Sequence, residues 1–152
     1  MNNPNASIHI ITRGVITSAG HLLLARAKGA ANTFLPGGHV ELGESLAGAL
    51  VREIAEEIGC AGKVSNYLGL VEHQWGEGPS RHHELNHVFA VSLEGITDTT
   101  PLASREDHLE FLWVRPADLS HHNLLPFPLI DFIQRHGRGE RGPFWACTFP
   151  PR

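Results

Sequence analysis

Apolar and polar positions follow two periods along this chain, and most of its elements can be predicted from them. "IHIITRGVIT" (8–17) and "HLLLAR" (21–26) are β-branched and aliphatic runs parted by Ser18 to Gly20, the composition of two strands in a hairpin. "NTFLPGG" (32–38) is an apolar approach halted by Pro-Gly-Gly, which forces a turn and lets the backbone come close to another group. From 45 to 58 the period lengthens: Leu46, Ala47, Leu50, Val51, Ile54 and Ile58 fall within a sector of about 140° at 3.6 residues per turn. An amphipathic helix is predicted there, with Gly59 as its left-handed C-terminal cap. "KVSNYLGLVEH" (63–73), "HELNHVFAVSL" (83–93) and "LEFLWV" (109–114) return to strand-like patterns. "PLIDFIQRHG" (128–137) predicts a second helix with Pro128 near its start and Gly137 at its end. The class is α/β.

The first helix carries an unusual charge pattern. With Leu46 at zero, Glu53 falls near about 340°, Glu57 near about 20° and Glu56 near about 280°, so two of the three border the apolar sector. The pairs 53/56 and 53/57 set like charges three and four residues apart, which costs a few tenths of a kcal/mol each. No lysine lies between Lys28 and Lys63 to offset them. A hard cation would reverse the sign of that repulsion, because carboxylate oxygens are preferred ligands of Mg²⁺ and Mn²⁺.

Composition narrows the partners. At 152 residues, 41% of them hydrophobic, the chain is sized for one domain with one core. A formal charge of −4 argues against general nucleic-acid binding, which calls for a basic surface. Cys60 and Cys147 stand far apart, so neither a disulfide framework nor a thiolate metal site is expected. No apolar run reaches the roughly 18 residues of a membrane span, and the start "MNNPNASIHI" has no signal-peptide pattern. A cytoplasmic protein with small-molecule partners and no membrane contact is expected.

From Gly38 to Cys60 the chain runs Gly38, five residues, Glu44, seven residues, then "REIAEEIGC". This resembles the signature box of the Nudix hydrolases, with every defined position met and Cys60 a small apolar residue in the aliphatic slot. The flanking "LLLAR", "FLPGG" and "FLWVRPADL" also look like the family's surroundings. The resemblance implies an α/β/α sandwich around a mixed β-sheet over residues 1–137, and a hydrolase that splits nucleoside diphosphate derivatives by attack of water on phosphorus. It implies Glu53, Glu56, Glu57 and the Gly38 carbonyl as metal ligands, with Mg²⁺ the expected ion and Mn²⁺ an alternative. Arg52 and Glu44 resemble the pair that braces the loop against the helix, a structural role. The same box on a non-catalytic ligand sensor is the alternative, but such modules often lose box carboxylates and none is lost here.

A diphosphate repels nucleophiles, so its hydrolysis needs cations on its oxygens and a base for the water. That base is a box glutamate or a later acid. Glu110, at the entrance of a strand, is favoured over Glu106. "HHELNH" contains His83, Glu84 and His87, a literal HExxH. Zinc proteases need that motif on a helix, whereas on the strand predicted here the two histidines would lie about 13 Å apart. Trp75 in a Gly-rich loop offers a stacking face for a nucleobase, and Arg26 offers a bidentate phosphate contact. The proline that marks ADP-ribose hydrolases downstream of the box is absent, with Trp75 in its place and Pro79 offset. The tail 138–152 carries Phe144, Trp145 and Phe149 and is expected to pack on its own domain or on the partner of a homodimer.

Overall fold

The structure, a computed structural model, describes residues 6–151. Residues 1–5 and Arg152, the ends of the expected domain and tail, lie outside the described residues. β1 (Ser7–Ser18) and β2 (His21–Ala27) form the predicted hairpin, and the short β3 (Gly37–His39) follows the Pro-Gly-Gly turn. α1 (Leu46–Glu57) starts at Ser45, whose hydroxyl accepts the Gly48 N–H at 3.0 Å, and stops where Gly59 turns to φ +81°. The N-cap satisfies a backbone donor that the first turn cannot satisfy itself. Then come β4 (Gly62–Trp75), β5 (His82–Leu93), β6 (Leu109–Val114), α2 (Pro128–Gly137) and β7 (Phe144–Cys147).

The strands order β6-β2-β1-β5-β4-β7, with β3 paired to β1 off this path. β1 runs antiparallel to β2 and β3 but parallel to β5, so the sheet is mixed. β1 is shared: its middle residues Ile11 to Arg13 pair with β3 and its last residues with β2. Alternation along β2 shows how the layers form. Leu22 and Leu24 join the cluster of Val71, Val88, Leu129, Phe132 and Ile133 under α2, whereas Leu23 joins Leu50, Ile54, Ile58, Phe89 and Val91 under α1. Successive side chains of a strand point to opposite faces, so one helix covers each face and the α/β/α sandwich results.

One expectation is corrected by a strand end. Trp75 is the last residue of β4, not part of a Gly-rich loop; the turn begins at Gly76. The segment after α2 packs on its own domain, one of the two arrangements expected of it, with β7 added to the sheet parallel to β4. Phe144 packs on the α2 cluster with its ring 4.5 Å from that of Phe132, and Phe149 meets the His83 ring edge-on at 4.6 Å. Trp145 stays 64% exposed, its indole N–H donated to Glu72 at 2.9 Å. No helix of the described residues is long and apolar enough to cross a membrane.

Candidate active site

The Pro-Gly-Gly turn delivers the backbone to the acidic face of α1. Gly37 sits at φ +136°, and a Cβ there would overlap the Thr12 carbonyl of β1. At Gly38 a Cβ would fall 2.5 Å from the Glu53 carboxylate carbon. Only glycine lets this turn lie against both β1 and Glu53. Pairing of Gly37 to His39 with Arg13 to Ile11 then fixes the turn on the sheet.

Arg52 organises the outer part of the face. Its Nε and Nη2 donate to the two Glu44 oxygens at 2.6 and 2.9 Å, a bidentate pair, and Nη2 also reaches the His39 carbonyl at 3.1 Å. Its Nη1 donates to Glu53 at 3.1 Å and Glu56 at 3.3 Å. The repulsion along the helix is therefore offset from within it, by an arginine and not a lysine. The hydrogen bonds from Arg52, helped by the Glu41 N–H, hold the Glu44 carboxyl well below its ordinary range, and the same pairing raises Arg52. The brace expected of these two residues is present as geometry.

Glu57 has a different setting. It is buried and accepts the Gly37 N–H at 3.3 Å. Burial pushes its carboxyl up to about 7; Arg13 and the Gly37 N–H pull it back, while Glu53 and Glu106 add to the rise. Glu53 and Glu57 thus flank the Gly37–Gly38 turn, while Glu56 faces Arg52 with half its side chain exposed. The three do not meet at one point. Among the described residues no three His, Cys, Asp or Glu side chains form a ready metal cage. The donor set nevertheless fits a hard divalent ion: it consists of carboxylate and carbonyl oxygens, and Mg²⁺ keeps most of its positions for water and substrate phosphate.

Arg13 escaped notice in the sequence. It is a half-buried arginine in β1 whose Nη1 donates to the Leu35 and Gly37 carbonyls at 3.1 and 3.2 Å, with Nε 3.5 Å from Asn86 Oδ1 and the guanidinium 5.2 Å from the Phe34 ring centre. The fully buried Asn86 in turn donates to Glu84 at 3.2 Å, and Glu84 accepts the Trp75 indole N–H at 2.8 Å. A hydrogen-bonded row therefore runs from the Gly37 turn to Trp75. The available signal was a charge in the middle of the β-branched run "IITRGVIT", a place where a strand interior normally holds an apolar residue.

The remaining candidates separate. Trp75 is 46% exposed and stacks one face on His82, ring centres 4.0 Å apart. Arg26 and Glu110 are cross-strand neighbours joined at 2.7 Å, so each is the other's partner. Glu106 lies in a loop fastened to the end of α1: the Arg105 N–H and the Ser104 hydroxyl both donate to the Glu57 carbonyl, at 2.8 and 3.4 Å. Glu106, not Glu110, is the downstream acid that acts on Glu57. His83 and His87 both sit on β5, the first 3.4 Å from Glu72 and the second bonded to the Tyr67 hydroxyl at 2.9 Å. An extended strand excludes the helical zinc geometry. His9 bridges His39 and His82 at 3.1 and 2.9 Å through opposite ring nitrogens, so this row does not converge on one point.

The family model for the NUDIX domain matches residues 8–135. This chain belongs to the Nudix family. With its box complete, it is a pyrophosphohydrolase of that family. Phosphatase NudJ of Escherichia coli K12 is 30% identical over 138 residues, covering 89% of this chain and 87% of the relative. Among solved structures, a UDP-X diphosphatase aligns over 92% of this chain and 67% of its own with TM-score 0.70 and 21% identity. The MutT protein of Methanosarcina mazei Go1 aligns over 88% and 96% with TM-score 0.63 and 25% identity. These likenesses agree with the mixed-sheet sandwich described above.

Proposed function

We propose that this Nudix enzyme hydrolyses the anhydride bond of a nucleoside diphosphate derivative with Mg²⁺ as its ion, Mn²⁺ serving in its place. The observation that carries this reading is the pair Glu53 and Glu57 on either side of a turn that only glycine can make. Glu53, Glu56, Glu57 and the Gly38 carbonyl would hold the cation. When bound, such an ion neutralises the diphosphate oxygens and acidifies water. The chain's own residues do the rest. Arg52 keeps Glu53 and Glu56 turned to one side of the helix. Glu106, fastened beside Glu57, is better placed than Glu110 to take the proton of the attacking water, since Glu110 is engaged by Arg26. Arg26 would exchange that carboxylate for a substrate phosphate, and the open face of Trp75 would stack on the base.

The names of the relatives, NudJ phosphatase and UDP-X diphosphatase, direct the first assays to nucleotide anhydrides, including UDP-linked ones. Nucleoside triphosphates, nucleotide sugars, dinucleotides and capped RNA are incubated with the protein and Mg²⁺, and the products are resolved by chromatography. Release of a nucleoside monophosphate from one class supports the proposal. Nucleotide binding in calorimetry without any cleavage would favour the sensor instead. For the homodimer, the exposed Trp145 is the candidate contact; light scattering of the full chain at high concentration tests it, and a monomer there eliminates it.

A further inference from the structure

The structure assigns to Arg13 a role in the reaction: we propose that it is a positioning residue, which uses its guanidinium to fix the Gly37–Gly38 turn for cation binding. This rests on the reading of Gly38, Glu53 and Glu57 as metal ligands. Arg13 pays a burial cost that packing alone would not justify. An arginine deprived of water is expensive unless its donors are satisfied, and among the described residues no carboxylate lies within ion-pair distance of Arg13. Glu84, Glu57 and Glu53 act on it only from further away. Its close partners are the Leu35 and Gly37 carbonyls and Asn86, which are neutral groups of the turn and the neighbouring strand.

The Gly37 residue is consequently held from both ends. Its N–H goes to Glu57 at 3.3 Å and its carbonyl takes Arg13 at 3.2 Å. Rotation of the Gly37–Gly38 peptide, which leads into Gly38, would have to break the bond to Arg13. Arginine suits the task because its planar fork presents several donors in fixed directions, so one side chain reaches two carbonyls and an amide together. The backbone pairing of β3 with β1 fastens the turn to the sheet, and Thr12 adds a long contact to the Gly38 carbonyl at 3.5 Å; Arg13 supplies the side-chain tie that reaches the Gly37 carbonyl. Groups that orient ligands from outside the coordination shell typically change metal affinity or activity about 10–100-fold when removed.

The test uses the full chain as Arg13→Met, Arg13→Lys and Glu57→Gln, with Mn²⁺ binding measured by paramagnetic resonance in the absence of substrate, thermal midpoints, and kcat and KM. A positioning role predicts that Arg13→Met melts close to the parent, because an apolar side chain of similar length replaces a half-buried charge that has no ion pair. It also predicts Mn²⁺ binding weakened about tenfold and kcat lowered about 10–100-fold, with KM within about twofold. Arg13→Lys should bind Mn²⁺ as poorly, since one ammonium lacks the fork. Lower stability in Arg13→Met with parental Mn²⁺ affinity and kcat overturns the inference. If Arg13→Met does not fold, Arg13→Lys decides: parental Mn²⁺ affinity there overturns it, weakened affinity supports it. Parental affinity in Glu57→Gln removes the metal reading itself, an outcome separate from failure at Arg13.

Discussion

Arg52 and Arg13 stand on opposite sides of the same acidic face, and they satisfy their charges in opposite ways. Arg52, near solvent, is surrounded by Glu44, Glu53 and Glu56 and spreads its donors over all three. Arg13, half-buried on the sheet, touches carbonyls and an amide and leaves Glu57 without an ion pair. The outer region is therefore electrostatically closed, whereas the inner one holds a carboxyl pushed up to about 7 by burial. A cation that lands between the turn and α1 gains most at Glu57, where no arginine competes for the oxygens.

The largest break in this comparison comes at the inner carboxylate. Glu57→Gln should lower turnover by orders of magnitude while the fold is kept, because the glutamine retains the shape and can still accept the Gly37 N–H. Steady-state kinetics together with circular dichroism check it, and parental turnover at limiting Mg²⁺ would remove Glu57 from the site.

Stability against pH sharpens the same contrast. The folded Glu57 carboxyl titrates near 7 and its ordinary value is 4.5. Between those values the folded protein keeps a proton that the unfolded chain has released, so stability without divalent ions falls as pH rises through the window. The sum is about 3 kcal/mol. Urea unfolding in chelator from pH 4.5 to 8 should show this loss in the parent and not in Glu57→Gln. Added Mg²⁺ should restore most of it at the upper end.

A smaller effect separates the two downstream acids. Glu106→Gln should cut kcat about 10²-fold and shift the acidic limb of the pH profile, whereas Glu110→Gln, which only frees Arg26, should act chiefly on KM. The opposite ranking in a pH-rate series returns the base to Glu110. The smallest effect belongs to the outer region. Arg52→Gln removes ion pairs that water partly screens, so about 1 kcal/mol of stability is at stake, and less in high salt. Parallel melts at low and high ionic strength read it directly.

Much of the fold is legible without coordinates because period is a local property. Alternation in 8–17 and 109–114 and the helical spacing in 45–58 give β1, β6 and α1, and Gly59 marks where α1 stops. β7 was hidden: four residues are too short for a period, and Phe144 joins the sheet only because β4 and α2 stand beside it. The acidic run of the candidate site is visible for the same local reason, since residues three or four apart on a helix are neighbours by geometry.

The sequence by itself thus carried the box, whose resemblance pointed to the family and implied the brace of Glu44 to Arg52, all within a single loop and helix. Other pairings lie across long separations in the chain: Arg13 with Leu35 and Gly37, Glu106 with Glu57, Arg26 with Glu110, and Trp75 with Glu84 across a turn. These depend on which strands become neighbours and in what register, and a register one residue away would turn each side chain to the other face of the sheet. Tertiary structure alone therefore decided which carboxylate is buried, which arginine bonds the Gly37 carbonyl and which loop is fastened to the end of α1.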